Sequence, residues 1–132
     1  MNKRVLLVDD DEEDCYIFTQ VVRQLDKELE IDCVTSGAEL LDLLKKKDPP
    51  DYIFLDLNMP GMHGLECLRQ LTNKSALRNT PVIVYSTSSN PRHIQEAFDE
   101  GAANYIIKSP SITTLKEQFK EIFDNDAPRQ RS

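Results

Sequence analysis

Five short apolar runs recur along the chain, each ending at a polar residue before a stretch of helical spacing begins. Val5-Leu6-Leu7-Val8 stops at Asp9, Tyr52-Ile53-Phe54-Leu55 at Asp56, Pro81 to Tyr85 at Ser86, and Tyr105-Ile106-Ile107 at Lys108. A poorer run, Ile31 to Thr35, is the second in order. Continuous rather than alternating hydrophobicity marks strands buried on both faces. Strands that alternate with helices build a parallel sheet with right-handed crossovers and helices on both faces. The expected fold is therefore α/β, a doubly wound five-stranded parallel sheet of order 2-1-3-4-5. In such sheets ligands bind beyond the carboxyl ends of the strands, at the reversal between the first and third.

The segments between the runs carry helix signals. Phe18, Val21, Val22, Leu25 and Leu29 fall on one helical stripe. Ser36 reads as the N-cap of a second helix, with Glu39 completing a capping box, and Leu40, Leu41, Leu43 and Leu44 give its apolar face. Lys45-Lys46-Lys47 suits the negative end of that helix and Pro49-Pro50 stops it, so the lysine run reads as a helix terminus rather than a binding patch. Leu57-Asn58-Met59-Pro60-Gly61 predicts a turn; Leu65, Leu68 and Leu71 predict a third helix, and Asn73 to Thr80 a polar loop. Asn90-Pro91 starts a fourth helix lined by Ile94, Ala97 and Phe98, and Gly101 closes it. Ile112, Leu115, Phe119, Ile122 and Phe123 form the last. Residues 1–124 read as one domain without internal repeats, and 125–132 as a disordered tail.

A chain of 132 residues with 39% hydrophobic and 30% charged residues has the balance of a globular domain with a single core. No apolar run approaches the ~18 residues of a membrane span. The four apolar residues after Met1-Asn2-Lys3-Arg4 are too few for a secretory signal, so the cytosol is the default setting. The net charge of −7 argues against a general nucleic-acid surface. Cys15, Cys33 and Cys67 match neither a disulfide framework nor a metal pattern and are expected to be reduced, mostly packed thiols.

The chemistry sits at the strand ends. The first strand delivers Asp9 and Asp10, the third Asp56, the fourth Ser86 and the fifth Lys108. Gathering carboxylates costs several kcal/mol unless a charge offsets it, and a hard divalent cation such as Mg²⁺ is the natural offset. Three carboxylates, one Mg²⁺ and one ammonium sum to zero, so an incoming phosphoryl group meets no net repulsion. In that arrangement Asp56 is the nucleophile, forming an aspartyl phosphate. Asp10 and Asp9 hold the metal with Asp56, Asn58 contributes its backbone carbonyl, and Lys108 and Ser86 bind phosphoryl oxygens.

Val8-Asp9-Asp10-Asp11, the Asp56 to Gly64 stretch, Val84-Tyr85-Ser86-Thr87 and Gly101 to Lys108 together resemble the receiver domain of two-component response regulators, over about residues 3 to 124. The resemblance implies a flavodoxin-like fold, a bacterial cytoplasmic setting and, as phosphoryl donor, a phosphohistidine on a sensor histidine kinase or histidine phosphotransfer protein. It implies self-catalysed phosphorylation and dephosphorylation rather than conventional enzymatic turnover. It also implies a switch in which Ser86 moves toward the phosphoryl group, Tyr105 turns inward, and a downstream protein reads the surface of the fourth helix, fifth strand and fifth helix. Monomer and weak homodimer both fit. The short Asn73 to Thr80 loop resembles small stand-alone receivers, including those serving phytochrome-type kinases. The order Lys108-Ser109-Pro110 departs from the usual Lys-Pro and leaves that loop's geometry open.

Each feature alone has a plainer reading. An Asp-Asp pair is commonly a solvated loop, and Asp11, Glu12, Glu13 and Asp14 read as charges favourable to a helix start. His63 and His93 read as solvated. A D-x-D phosphatase would need an acid where Asn58 stands, and a flavin domain would need a hydroxyl- and glycine-rich loop where Asp9 to Asp14 stand. A degenerate, docking-only receiver would lack one of the five residues at the strand ends.

Overall fold

The computed structural model describes residues 3–46, 48–59 and 63–125. Lys47, the Pro60-Gly61 part of the predicted turn, and residues 126–132 of the predicted tail lie outside them. Strands β1 (Arg4–Val8), β2 (Glu30–Val34), β3 (Tyr52–Leu55), β4 (Val82–Ser86) and β5 (Asn104–Ile107) alternate with helices α1 (Glu12–Leu25), α2 (Gly37–Lys46), α3 (Gly64–Thr72), α4 (Pro91–Asp99) and α5 (Ile112–Asp124). The strands form one parallel sheet ordered β2-β1-β3-β4-β5, as the alternation predicts.

The strand period of two divides the core between the sheet's faces. Leu6, Val8, Ile53, Leu55, Val82 and Val84 pack with Leu40, Leu68, Leu71 and Ala97 of α2, α3 and α4. Val5, Leu7, Tyr52, Phe54, Ile83 and Tyr85 pack with residues of α1 and α5, including Phe18 and Phe119. Phe18 stands edge-on to Phe54 at 5.0 Å and to Phe119 at 5.1 Å, a favoured aromatic geometry. Two covered faces explain why the strands read as unbroken apolar runs.

Local chemistry sets the helix ends. Asp11 caps α1 by accepting from the Glu13 and Asp14 amides. Asn90 caps α4 through the Arg92 amide at 2.9 Å, with Pro91 at the first helical position. Gly101 adopts φ +104° beyond α4; its amide donates to the Phe98 carbonyl, and that of Ala102 to the Ala97 carbonyl, which together satisfy the open carbonyls of the last turn.

Several expectations need correction. Leu29 is buried, but α1 stops at Leu25 because Asp26 turns the chain and accepts from the Glu28 amide. The Glu39 amide donates to Ser36 Oγ, but the Glu39 carboxylate returns to the Thr35 amide at 2.7 Å rather than to Ser36. Leu41 of α2 and Phe98 of α4 are exposed, so each helix buries a narrower stripe than its sequence offers. The polar loop contains a 3₁₀ turn, Ser75–Leu77, that buries Leu77. Cys15 and Cys67 are half-buried, whereas Cys33 on the edge strand β2 is exposed. Among the described residues there is no cis peptide, and Ser109 Oγ accepts from the Ser111 amide at the entry to α5.

Candidate functional site

Strand register brings the acids together. Val8 lies opposite Leu55, so Asp9 and Asp56, one residue beyond, leave the sheet side by side. The Asp56 amide donates to the Val8 carbonyl at 3.0 Å, and the Asp9 amide to the Val34 carbonyl at 3.0 Å. On the other side Ser86 lies opposite Ile107, and the Lys108 amide donates to the Ser86 carbonyl at 2.7 Å. Carboxylate oxygens of Asp9, Asp10 and Asp56 fall within 4.8 Å of one another. A recess of about 720 Å³ lies at the opposite end of the strands between Asp51, Arg78 and Gly101, away from these groups.

Lys108 Nζ lies 2.8 Å from Asp9 Oδ2, 2.8 Å from Asp14 Oδ2 and 3.3 Å from Asp56 Oδ2. It also stands 5.3 Å from the centre of the Tyr85 ring, within cation–π range. Burial opposes its charge, but the hydrogen bond to Asp14 and the close Asp9 and Asp56 carboxylates outweigh burial and hold the ammonium above the ordinary lysine range. Asp9 is 0% exposed, and burial pushes its carboxyl upward against the opposing pull of Lys108 and the Asp11 amide. Asp9 Oδ2, although within ion-pair reach of Lys108, makes no hydrogen bond. A buried carboxylate oxygen left in that state, beside Asp10 and Asp56, is a donor for a hard cation, and the all-oxygen set suits Mg²⁺ or Mn²⁺.

Asp56 is 5% exposed; its Oδ1 accepts from the Asn58 amide at 3.0 Å and its Oδ2 faces Lys108. Ser86 Oγ is buried and accepts from the Ser88 amide at 3.1 Å and, weakly, from Asn58 Nδ2 at 3.4 Å. Tyr105 packs against the α2–α4 side of the core and its hydroxyl donates to the Ser88 carbonyl at 2.9 Å. His93 is not merely solvated: its Nδ1 lies 2.7 Å from Ser88 Oγ. Both histidines line a recess of about 310 Å³ that reaches Asn58, Ser86 and Tyr105.

Asp14 escaped the sequence reading, which grouped it with the charges of a helix start. It occupies the first turn of α1, where side chains lean toward the helix N-terminus and hence toward the strand ends. That lean is shared with Glu12 and Glu13, so nothing in the local sequence singles Asp14 out. Asp14 also changes the charge count: with four carboxylates, one ammonium and one divalent cation, the site retains one negative charge rather than none.

Residues 5–120 match the family described as response regulator receiver domain. The chain belongs to that family. It is 33% identical to chemotaxis protein CheY-3 of Vibrio cholerae over 93% of both chains. Among solved structures it resembles the phosphorylated cyanobacterial phytochrome response regulator RcpA, with 29% identity, a TM-score of 0.82 and coverage of 94% and 93% of the two chains. It also resembles response regulator TrrA of Thermotoga maritima in complex with Mg²⁺ and BeF, with 28% identity, a TM-score of 0.74 and coverage of 91% and 98%. This receiver domain is a two-component signalling domain phosphorylated on an aspartate, not a classical enzyme. Among its described residues no helix is long and apolar enough to cross a membrane.

Proposed function

We propose that residues 1–124 form the receiver unit, that Asp56 is the phosphorylated aspartate, and that the donor is a phosphohistidine on a sensor histidine kinase or histidine phosphotransfer protein. The observation that carries this reading is the meeting, at one end of the sheet, of Asp56, the hydrogen-bond-free Asp9 Oδ2 and the Lys108 ammonium. Asp9, Asp10 and Asp56, with the Asn58 carbonyl, would hold Mg²⁺. When bound, that ion supplies positive charge against the carboxylates and the phosphoryl oxygens.

An Asp56 oxygen donates its electron pair to phosphorus; the O–P bond forms as the N–P bond breaks, and the departing imidazole nitrogen takes the released pair. The Asn58 amide orients the carboxylate by holding Oδ1. Lys108 neutralises one phosphoryl oxygen. The Ser86 hydroxyl, which accepts from Ser88 and Asn58, keeps its own proton to donate to another. The same residues serve the slower self-catalysed hydrolysis. Added charge at Asp56 draws Ser86 toward it, and Tyr105, tied to Ser88 in the same loop, couples that shift to the α4–β5–α5 surface read by a downstream protein. The domain acts as a monomer or weak homodimer in the bacterial cytoplasm.

Incubation with acetyl phosphate and Mg²⁺ should add about 80 Da, the mass of one phosphoryl group, and the increment should vanish with a chelator or in Asp56→Asn. Intact-protein mass spectrometry reads this directly. Labelling of Asp56→Asn equal to wild type would refute the assignment.

A further inference from the structure

The partners of Lys108 are not equivalent. Its shortest hydrogen bond runs to Asp14 Oδ2 at 2.8 Å, whereas that to Asp56 Oδ2 is 3.3 Å. Asp9 Oδ2 is as close as Asp14 but outside hydrogen-bond geometry. Asp14 approaches from the first turn of α1, fixed there by the Asp11 cap, while Asp56 approaches from β3. The Asp14 side chain is 27% exposed and that of Lys108 12%, so the outer bond borders solvent and the inner one does not. An ammonium aimed most strongly at a carboxylate other than the acceptor is not placed for phosphoryl binding.

We propose that Asp14 is a positioning residue for phosphoryl transfer: it tethers the Lys108 ammonium while Asp56 is unmodified, and Lys108 must leave it to reach a phosphoryl oxygen. This rests on the reading of Asp56 as the acceptor. A phosphoryl group brings more negative charge than the Asp14 carboxylate, so the ammonium changes partner once the group arrives. Until then the tether slows the reaction in two ways. It holds Lys108 off the approach, and its own charge repels an anionic donor. A partly exposed lysine–carboxylate pair is weak enough that together these effects amount to roughly three- to tenfold in rate. Cation affinity moves the other way, because Asp14 adds negative charge beside the metal-facing acids.

The full chain is compared with Asp14→Asn and Asp14→Glu. Asp14→Ser, which retains a hydroxyl in the first turn of α1, runs in parallel so that instability of one variant does not decide the result. Three quantities are read: the phosphorylation rate with acetyl phosphate at saturating Mg²⁺, Mg²⁺ affinity by calorimetry without donor, and the Lys108 ammonium resonance by NMR in metal-free protein. Asp14→Asn and Asp14→Ser are expected to phosphorylate roughly three- to tenfold faster, to bind Mg²⁺ more weakly, and to lose the restrained ammonium signal. Asp14→Glu should return all three toward wild type. Simple loss of structure would lower rate and affinity together, and thermal melts identify it. An unchanged or slower rate in folded Asp14→Asn and Asp14→Ser overturns the proposal while leaving Asp56 labelling intact. Absence of label in the wild type overturns the acceptor reading, and this proposal with it.

Discussion

Gly64→Ala tests how rigidly the acceptor is held. A Cβ on Gly64, at the start of α3, would lie 2.3 Å from the Leu57 carbonyl oxygen, 2.6 Å from its Cα and 2.8 Å from its carbonyl carbon. Raising the closest of these to 3.0 Å requires a shift of about 0.7 Å (3.0 − 2.3), and backbone atoms cannot rotate aside as a flexible side chain can. Leu57 links Asp56 to Asn58, whose amide holds Asp56 Oδ1 at 3.0 Å. The same displacement along that bond would stretch it to about 3.7 Å, beyond hydrogen-bond range. Overpacking against backbone costs about 3 kcal/mol, and alanine's helix preference returns about 1 kcal/mol, leaving roughly 2 kcal/mol of destabilisation. At about 4 °C per kcal/mol for a domain of this size, Tm should fall by roughly 8 °C. Misplacing the nucleophile should also slow acetyl phosphate labelling by at least about tenfold. Gly101→Ala is the control: its φ of +104° and contacts of 3.0 Å to Thr72 make alanine strained there, but the position lies at the other end of the strands. It should melt earlier and label normally once folded. A Gly64→Ala protein that labels at the wild-type rate would refute the reasoning.

Two further outcomes follow from burial. Asp9→Asn should stabilise the metal-free protein near neutral pH, because burial raises the Asp9 carboxyl above its unfolded value and ionising it in the folded state is unfavourable. The sign fixes the pH dependence: below the unfolded value both states are protonated and the difference vanishes, and the variant's advantage grows as pH rises through the folded value. Urea titrations in chelator at pH 4 and pH 7 measure it, and a variant less stable than wild type at pH 7 would contradict it; added Mg²⁺ should stabilise wild type far more than the variant. Phe119→Ala removes the ring that meets Phe18, Phe54 and Tyr85 at 5.1–5.7 Å and should cost about 3–5 kcal/mol by chemical denaturation; a loss below about 1 kcal/mol would mean that this aromatic cluster collapses around the gap.

The alternation of apolar runs with helical stripes determined a parallel sheet covered on both faces and the end at which the chemistry lies, because a strand buried on both faces has few other ways to be written; the order β2-β1-β3-β4-β5 matches the common order for five such units. The same logic placed Asp9, Asp56, Ser86 and Lys108 at adjacent strand ends before any distance was known, since parallel register carries each strand's last residue to the same edge. Caps at Asp11, Asn90 and Gly101 were equally legible, being set by bonds within a few residues. Tertiary packing decided the rest. Leu41 and Phe98 have the spacing of core residues, but whether a helix buries two or three columns of side chains depends on how it lies on the sheet. The contact between Asp14 and Lys108 spans 94 positions and depends on the rotation of α1 relative to β5, which no local pattern encodes. Helix propensity and capping explain why Asp14 is tolerated where it stands; only the assembled sheet turns it from a helix-start charge into a partner of the site's lysine.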